Sequence, residues 1–92
     1  MTRNVRVVIT GRVQGVGYRA WTERHALRRG LSGWVRNRVD GSVEAVFCGD
    51  PQAVDDMLLA CRHGPRASEV TQVTTFDDAE PVGGGFVLLP TA

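Results

Sequence analysis

Trp34-Val35-Arg36-Asn37-Arg38-Val39-Asp40-Gly41-Ser42-Val43-Glu44-Ala45-Val46-Phe47-Cys48 holds two strand-like runs on either side of Asp40-Gly41. Asp-Gly between such runs signals a hairpin, because both residues tolerate positive φ. One strand is therefore expected over Trp34 to Val39 and the next over Val43 to Cys48. In the second, Val43, Ala45 and Phe47 share a face, and Gly49 ends it. In the first, Asn37 shares a face with Val35 and Val39. A strand that turns straight back on its neighbour is a poor fit to the parallel βαβ unit of a dinucleotide-binding fold.

Upstream of the hairpin, Val5, Val7 and Ile9 alternate with Arg6, Val8 and Thr10, a first strand running to about Arg12. A glycine-rich loop follows. From Tyr18 to about Arg29 the chain lacks glycine and proline, and Tyr18, Trp21, His25 and Ala26 fall at helical spacing before a stop at Gly30. Downstream, Asp50-Pro51 is a helix start with a carboxylate cap and proline at the first helical position. Val54, Met57, Leu58 and Cys61 then form an apolar stripe that His63-Gly64-Pro65 closes.

The last third is less regular. Val70 to Phe76 is threonine-rich and strand-like, but strict alternation puts Val70 and Val73 on opposite faces, which a bulge or an edge position reconciles. Asp77 to Gly85 is an acidic, glycine-rich loop, and Phe86 to Leu89 a short final strand, after which Pro90 limits further pairing on its own N–H side. The order is βαββαβ with an extra terminal strand segment. An α+β, ferredoxin-like split βαβ sandwich satisfies it, with an antiparallel sheet and two helices on one face. Residues 1–92 make one domain, near the lower end of the usual size range.

Composition excludes several classes. All 11 basic residues are arginines, so neither a lysine Schiff base nor a P-loop lysine is available. A net charge of +1 argues against a general polyanion binder. Cys48, Cys61, His25 and His63 have no metal-ligand spacing, and no metal or other cofactor is expected. Both thiols are expected reduced and buried. No apolar run approaches the ~20 residues that span a bilayer, and no signal-peptide block precedes the first strand. A cytoplasmic location without membrane contact is the expectation.

Gly11-Arg12-Val13-Gln14-Gly15-Val16-Gly17-Tyr18-Arg19 is the segment richest in chemistry. Small residues where a strand gives way to a helix let backbone N–H groups converge, and the helix N-terminus adds partial positive charge. Arg19 adds a planar fork of donors suited to phosphate oxygens. Such glycines also occur simply because a tight turn demands them. Asn37 is either an ordinary strand-end amide or a fixed one, able to orient a water through its oxygen and a transferring group through its nitrogen.

Gly11 to Arg19, together with Gly33 to Gly49, resembles the two signature segments of the acylphosphatase family, at the spacing that family shows. Gly64-Pro65, Ala67, Val70 and Val73 extend the resemblance over nearly the whole chain. It implies hydrolysis of carboxyl phosphates to a carboxylate and inorganic phosphate, without metal and without a phospho-enzyme. Arg19 then matches the phosphate-binding arginine and Asn37 the asparagine that orients the attacking water. The backbone N–H groups of Gln14, Gly15, Val16, Gly17, Tyr18 and Arg19 match the phosphate cradle.

The partner implied is a small acyl phosphate, with no nucleic acid, and the chain is expected to act as a free-standing monomer. Two departures stand out. Gly17 occupies a variable loop position where glycine loosens the cradle, and the chain ends Pro90-Thr91-Ala92 where relatives carry arginine or tyrosine. Neither is expected to touch Arg19 or Asn37. Two other functions fit the fold: an RNA-binding sheet displaying Trp34, Phe47 and Phe76, and a sensor that binds an anion without turning it over.

Overall fold

A computed structural model describes residues 1–92. The strands are β1 (Arg3–Arg12), β2 (Ser32–Asn37), β3 (Val43–Gly49), β4 (Glu69–Phe76) and β5 (Phe86–Leu88); the helices are α1 (Tyr18–Arg28) and α2 (Pro51–Cys61). They form one sheet in the order β4-β1-β3-β2-β5. The first four strands pair antiparallel, as expected. The fifth corrects the wholly antiparallel expectation, because β5 lies parallel to β2, with Val35 opposite Leu88.

The alternation in β1 puts Val5, Val7 and Ile9 on the face that meets Phe47, Ala45 and Val43 across the ladder to β3. All six are fully buried. Tyr18 and Ala26 of α1 and Val54, Met57 and Cys61 of α2 close the same cluster, so both helices cover one face. Burying a side chain of this size contributes roughly 1.5–3 kcal/mol. In α1 the inward residues are Tyr18, Thr22 and Ala26. Trp21 and His25 sit on its half-buried flank, their rings 4.4 Å apart. Thr22 was hidden from the hydrophobic pattern because its hydroxyl is satisfied locally, donating to the Tyr18 carbonyl at 2.8 Å.

α2 begins as its sequence indicates, with the Asp50 carboxylate accepting from the N–H groups of Gln52 and Ala53. β4 is an edge strand and shows the expected irregularity. Thr10 pairs with Gln72 and Gly11 with Val70, which leaves Thr71 as an extra residue. That bulge restores Val70 and Val73 to the core side, where both pack.

The hairpin differs in detail from its sequence reading. β2 starts at Ser32 and ends at Asn37, so Val39 leaves the ladder and is 87% exposed. The Arg38 N–H donates to the Ser42 carbonyl and the Gly41 N–H to the Arg38 carbonyl, making a three-residue connection. Only Gly41 in it has positive φ, at 96°; Asp40 does not. Instead, the Asp40 carboxylate accepts from the Ser42 hydroxyl and N–H at 2.6 and 2.9 Å, and those bonds hold its carboxyl below the usual carboxylate range.

The opposite sheet face carries Arg36 directly across from Glu44, and Arg6 diagonal to Glu44. Glu44 accepts from Arg36 at 2.7 Å and Arg6 at 3.3 Å. Loop residue Asp78 also takes Arg6. Phe47 is not an exposed aromatic of this face; it is fully buried on the other, 5.7 Å from the ring of Phe86. Cys48 and Cys61 are free and buried. No helix is long and apolar enough to cross a membrane.

Candidate active site

Between β1 and α1 the chain runs over buried Val13 and half-buried Val16, both packed on the core. These anchors fix the loop from below while Gly15 and Gly17 curl it. Gly17 has φ 79°, ψ 21° and caps α1 without any side-chain bond. A β-carbon there is strained, so glycine sets the loop's shape and does not merely loosen it. The Gly17 carbonyl accepts from the Trp21 N–H at 3.0 Å.

The N–H groups of residues 14–20 find no acceptor within the protein. Four N–H groups are left over at any helix start, but here a capping side chain is missing and the preceding loop adds more. No acidic residue occupies the first turn of α1 either. Arg19 stands there instead, a cation at the positive end of the helix, which costs about 0.3–1 kcal/mol unless an anion joins it. Its guanidinium has no ion-pair or hydrogen-bond partner in the protein, in contrast with Arg3, Arg6 and Arg36.

Asn37 ends β2 on the same face as buried Val35, and its side chain is likewise free of protein partners. The fold brings it to Arg19. Gly15, Gly17, Tyr18, Arg19 and Asn37 line one open cleft of about 200 Å³. Gln14 and Val16, expected in the cradle, do not line it. Val13, Ala20 and Leu88 complete the walls. Leu88 was not legible as a wall residue because its neighbour in the sheet follows from the parallel β2–β5 pairing. Its spacing from core residue Phe86 was the one available hint.

Asn37 is also held from its outer edge. The Ala92 N–H donates to the Asn37 carbonyl at 3.1 Å, and the Val39 N–H donates to the Ala92 carbonyl at 3.0 Å. The Pro90-Thr91-Ala92 segment therefore does reach the Asn37 backbone, contrary to expectation. Pro90 lacks only its own N–H, and pairing resumes beyond it.

Tyr18, buried in the core, also lines the cleft. Burial pushes its phenol pKa up, and the Cys61 contact adds to that. The hydroxyl thus stays protonated and donates to the Cys61 carbonyl. His25 does not line the cleft. Its pKa is lowered by burial first and then by Arg29, Arg28 and Arg24. The walls carry no carboxylate, imidazole or thiol; they offer donors, one cation and one amide.

A family model described as Acylphosphatase matches residues 5–87. The chain belongs to the acylphosphatase family. Among its relatives, the acylphosphatase of Azorhizobium caulinodans is 51% identical over 92 residues, covering 99% of both chains. That of Bradyrhizobium diazoefficiens is 62% identical over 71 residues, 77% of this chain and 72% of the relative. The crystal structure of the acylphosphatase from Bacillus subtilis superposes with a TM-score of 0.90 at 33% identity, over 97% of this chain and 99% of that one. A likeness this complete leaves the ferredoxin-like assignment of this family member in no conflict with the extra strand β5.

Proposed function

We propose that this chain hydrolyses the carboxyl-phosphate bond of acyl phosphates, with Arg19 and the loop N–H groups holding the phosphoryl group and Asn37 orienting the attacking water. One observation carries this. Arg19 and Asn37, whose side chains have no protein partners, line a single cleft with Gly15, Gly17, Tyr18 and Ala20, whose N–H groups have no acceptor in the protein. Such an array matches a dianionic phosphoryl group and the charge that spreads over its equatorial oxygens in the transition state.

In this mechanism the water oxygen attacks phosphorus while the bond from phosphorus to the acyl oxygen breaks. The bonding pair leaves with the carboxylate, whose conjugate acid has a pKa of roughly 4–5, so no general acid is required. The water's proton passes to a phosphoryl oxygen of the substrate. Positioning and fixed charge supply the acceleration, which suits walls that carry neither a base nor a metal-binding set.

Hydrolysis of benzoyl phosphate by the purified protein with EDTA present tests this. Metal-independent turnover that inorganic phosphate inhibits competitively is the expected result. Phosphate binding by folded protein without turnover would instead make the cleft a sensor.

A further inference from the structure

The Gln14 side chain has a task separate from its backbone. Its Nε2 donates to the carbonyl of Arg38 at 2.7 Å and to that of Ser42 at 2.8 Å. Two carbonyls facing one amide fix its orientation, since the oxygen end would be repelled. Arg38 directly follows Asn37, and Ser42 lies across the hairpin mouth from it, accepting also from the Arg38 N–H at 2.9 Å. No other hydrogen bond joins residues 13–17 to residues 36–42.

We propose that Gln14 is a positioning residue, which sets the separation between the phosphate cradle and Asn37 by pinning the loop to the hairpin that carries it. The inference rests on the hydrolase reading above. The cradle and Arg19 belong to the β1–α1 junction, whereas Asn37 belongs to β2, and in-line attack needs both in one frame. A displacement of about 1 Å between them costs on the order of 10²-fold in rate. Binding of phosphate alone needs only the cradle and Arg19, so loss of the Gln14 tie separates rate from affinity.

The experiment compares the parent with Gln14→Met, similar in length and without donors, and with Gln14→Glu. Benzoyl phosphate kinetics, inhibition by inorganic phosphate and melting temperature are measured for each. Gln14→Met is expected to lose about 10- to 100-fold in kcat, with the phosphate inhibition constant within about threefold of the parent. At neutral pH the Gln14→Glu carboxylate faces two carbonyl oxygens, and kcat falls at least as far. As pH is lowered and that carboxyl takes a proton, its O–H again donates to a carbonyl. Its kcat relative to the parent at the same pH is then expected to recover.

Normal kcat in folded Gln14→Met overturns the inference. So does a parallel loss of kcat, phosphate affinity and melting temperature with no recovery of Gln14→Glu in acid, which marks a merely structural tie. A parent that does not hydrolyse benzoyl phosphate sinks the hydrolase reading itself, a result distinct from either.

Discussion

The Tyr18 hydroxyl donates to the Cys61 carbonyl at 2.7 Å, joining the first residue of α1 to the last residue of α2. A helix ends with carbonyls that lack intrahelical partners, and this one is satisfied from inside the protein by the residue next to Arg19. Tyr18→Phe keeps the ring and removes the donor. It is expected to lower stability by about 1–3 kcal/mol, read as a lower urea midpoint with an unchanged slope.

Arg19→Ala is expected to abolish phosphate inhibition and lower kcat/KM by at least about 10²–10³-fold. Its stability is expected to move the other way. Removing a cation from a helix N-terminus relieves about 0.3–1 kcal/mol, so the melting temperature without ligand stays level or rises. A large drop in melting temperature would show that Arg19 supports the fold.

Asn37→Ala is expected to lower kcat by about 10²–10³-fold while the inhibition constant for inorganic phosphate changes little. Near-normal turnover would remove the water-orienting role. The contrast with Arg19→Ala is the informative part, because the proposed roles differ: binding and rate for Arg19, rate alone for Asn37.

Burial pushes the Cys61 thiol up from 9.0 to about 12. The folded state therefore favours the neutral thiol. Its contribution to stability is complete below the unfolded value, and it is lost as pH rises from about 9 towards 12. Cys61→Ala is expected to flatten the alkaline limb of the stability curve over that window, measured by denaturant midpoint against pH. Both native thiols should also resist a thiol reagent at neutral pH until the chain is unfolded.

Deleting Thr91 and Ala92 removes both backbone bonds that hold the outer edge of Asn37. The expected result is a fall in kcat of about tenfold, of the order that a small misplacement produces. Stability is expected to fall by about 1–3 kcal/mol for the two bonds. Unchanged kinetics in the shortened chain would show that Gln14 alone suffices to hold the site.

Much of this was legible in the order of residues, for local reasons. Asp50-Pro51, the stripe from Val54 to Cys61 and the alternation from Val5 to Ile9 carry their geometry in short spacings, and the elements formed there. Arg19 and Asn37 stood out because their flanking segments are distinctive, and the fold places both on one cleft. What stayed hidden depends on partners distant in the chain. The parallel seat of β5 decides that Leu88 walls the cleft and that Ala92 reaches Asn37, and no spacing near either residue encodes it. Val39 misled for the opposite reason, since its apolar character suggests strand where the hairpin had already begun to turn.

The bonds between Ala92 and the Asn37 segment also bear on biosynthesis. On a ribosome that adds roughly 5–20 residues per second, the β2–β3 hairpin and the glycine loop emerge early and have neighbours close in the chain to fold against. The strand partner of Asn37's outer edge, Ala92, is made more than fifty residues after Asn37 itself. Asn37 is thus synthesised seconds before the residue that holds its outer edge.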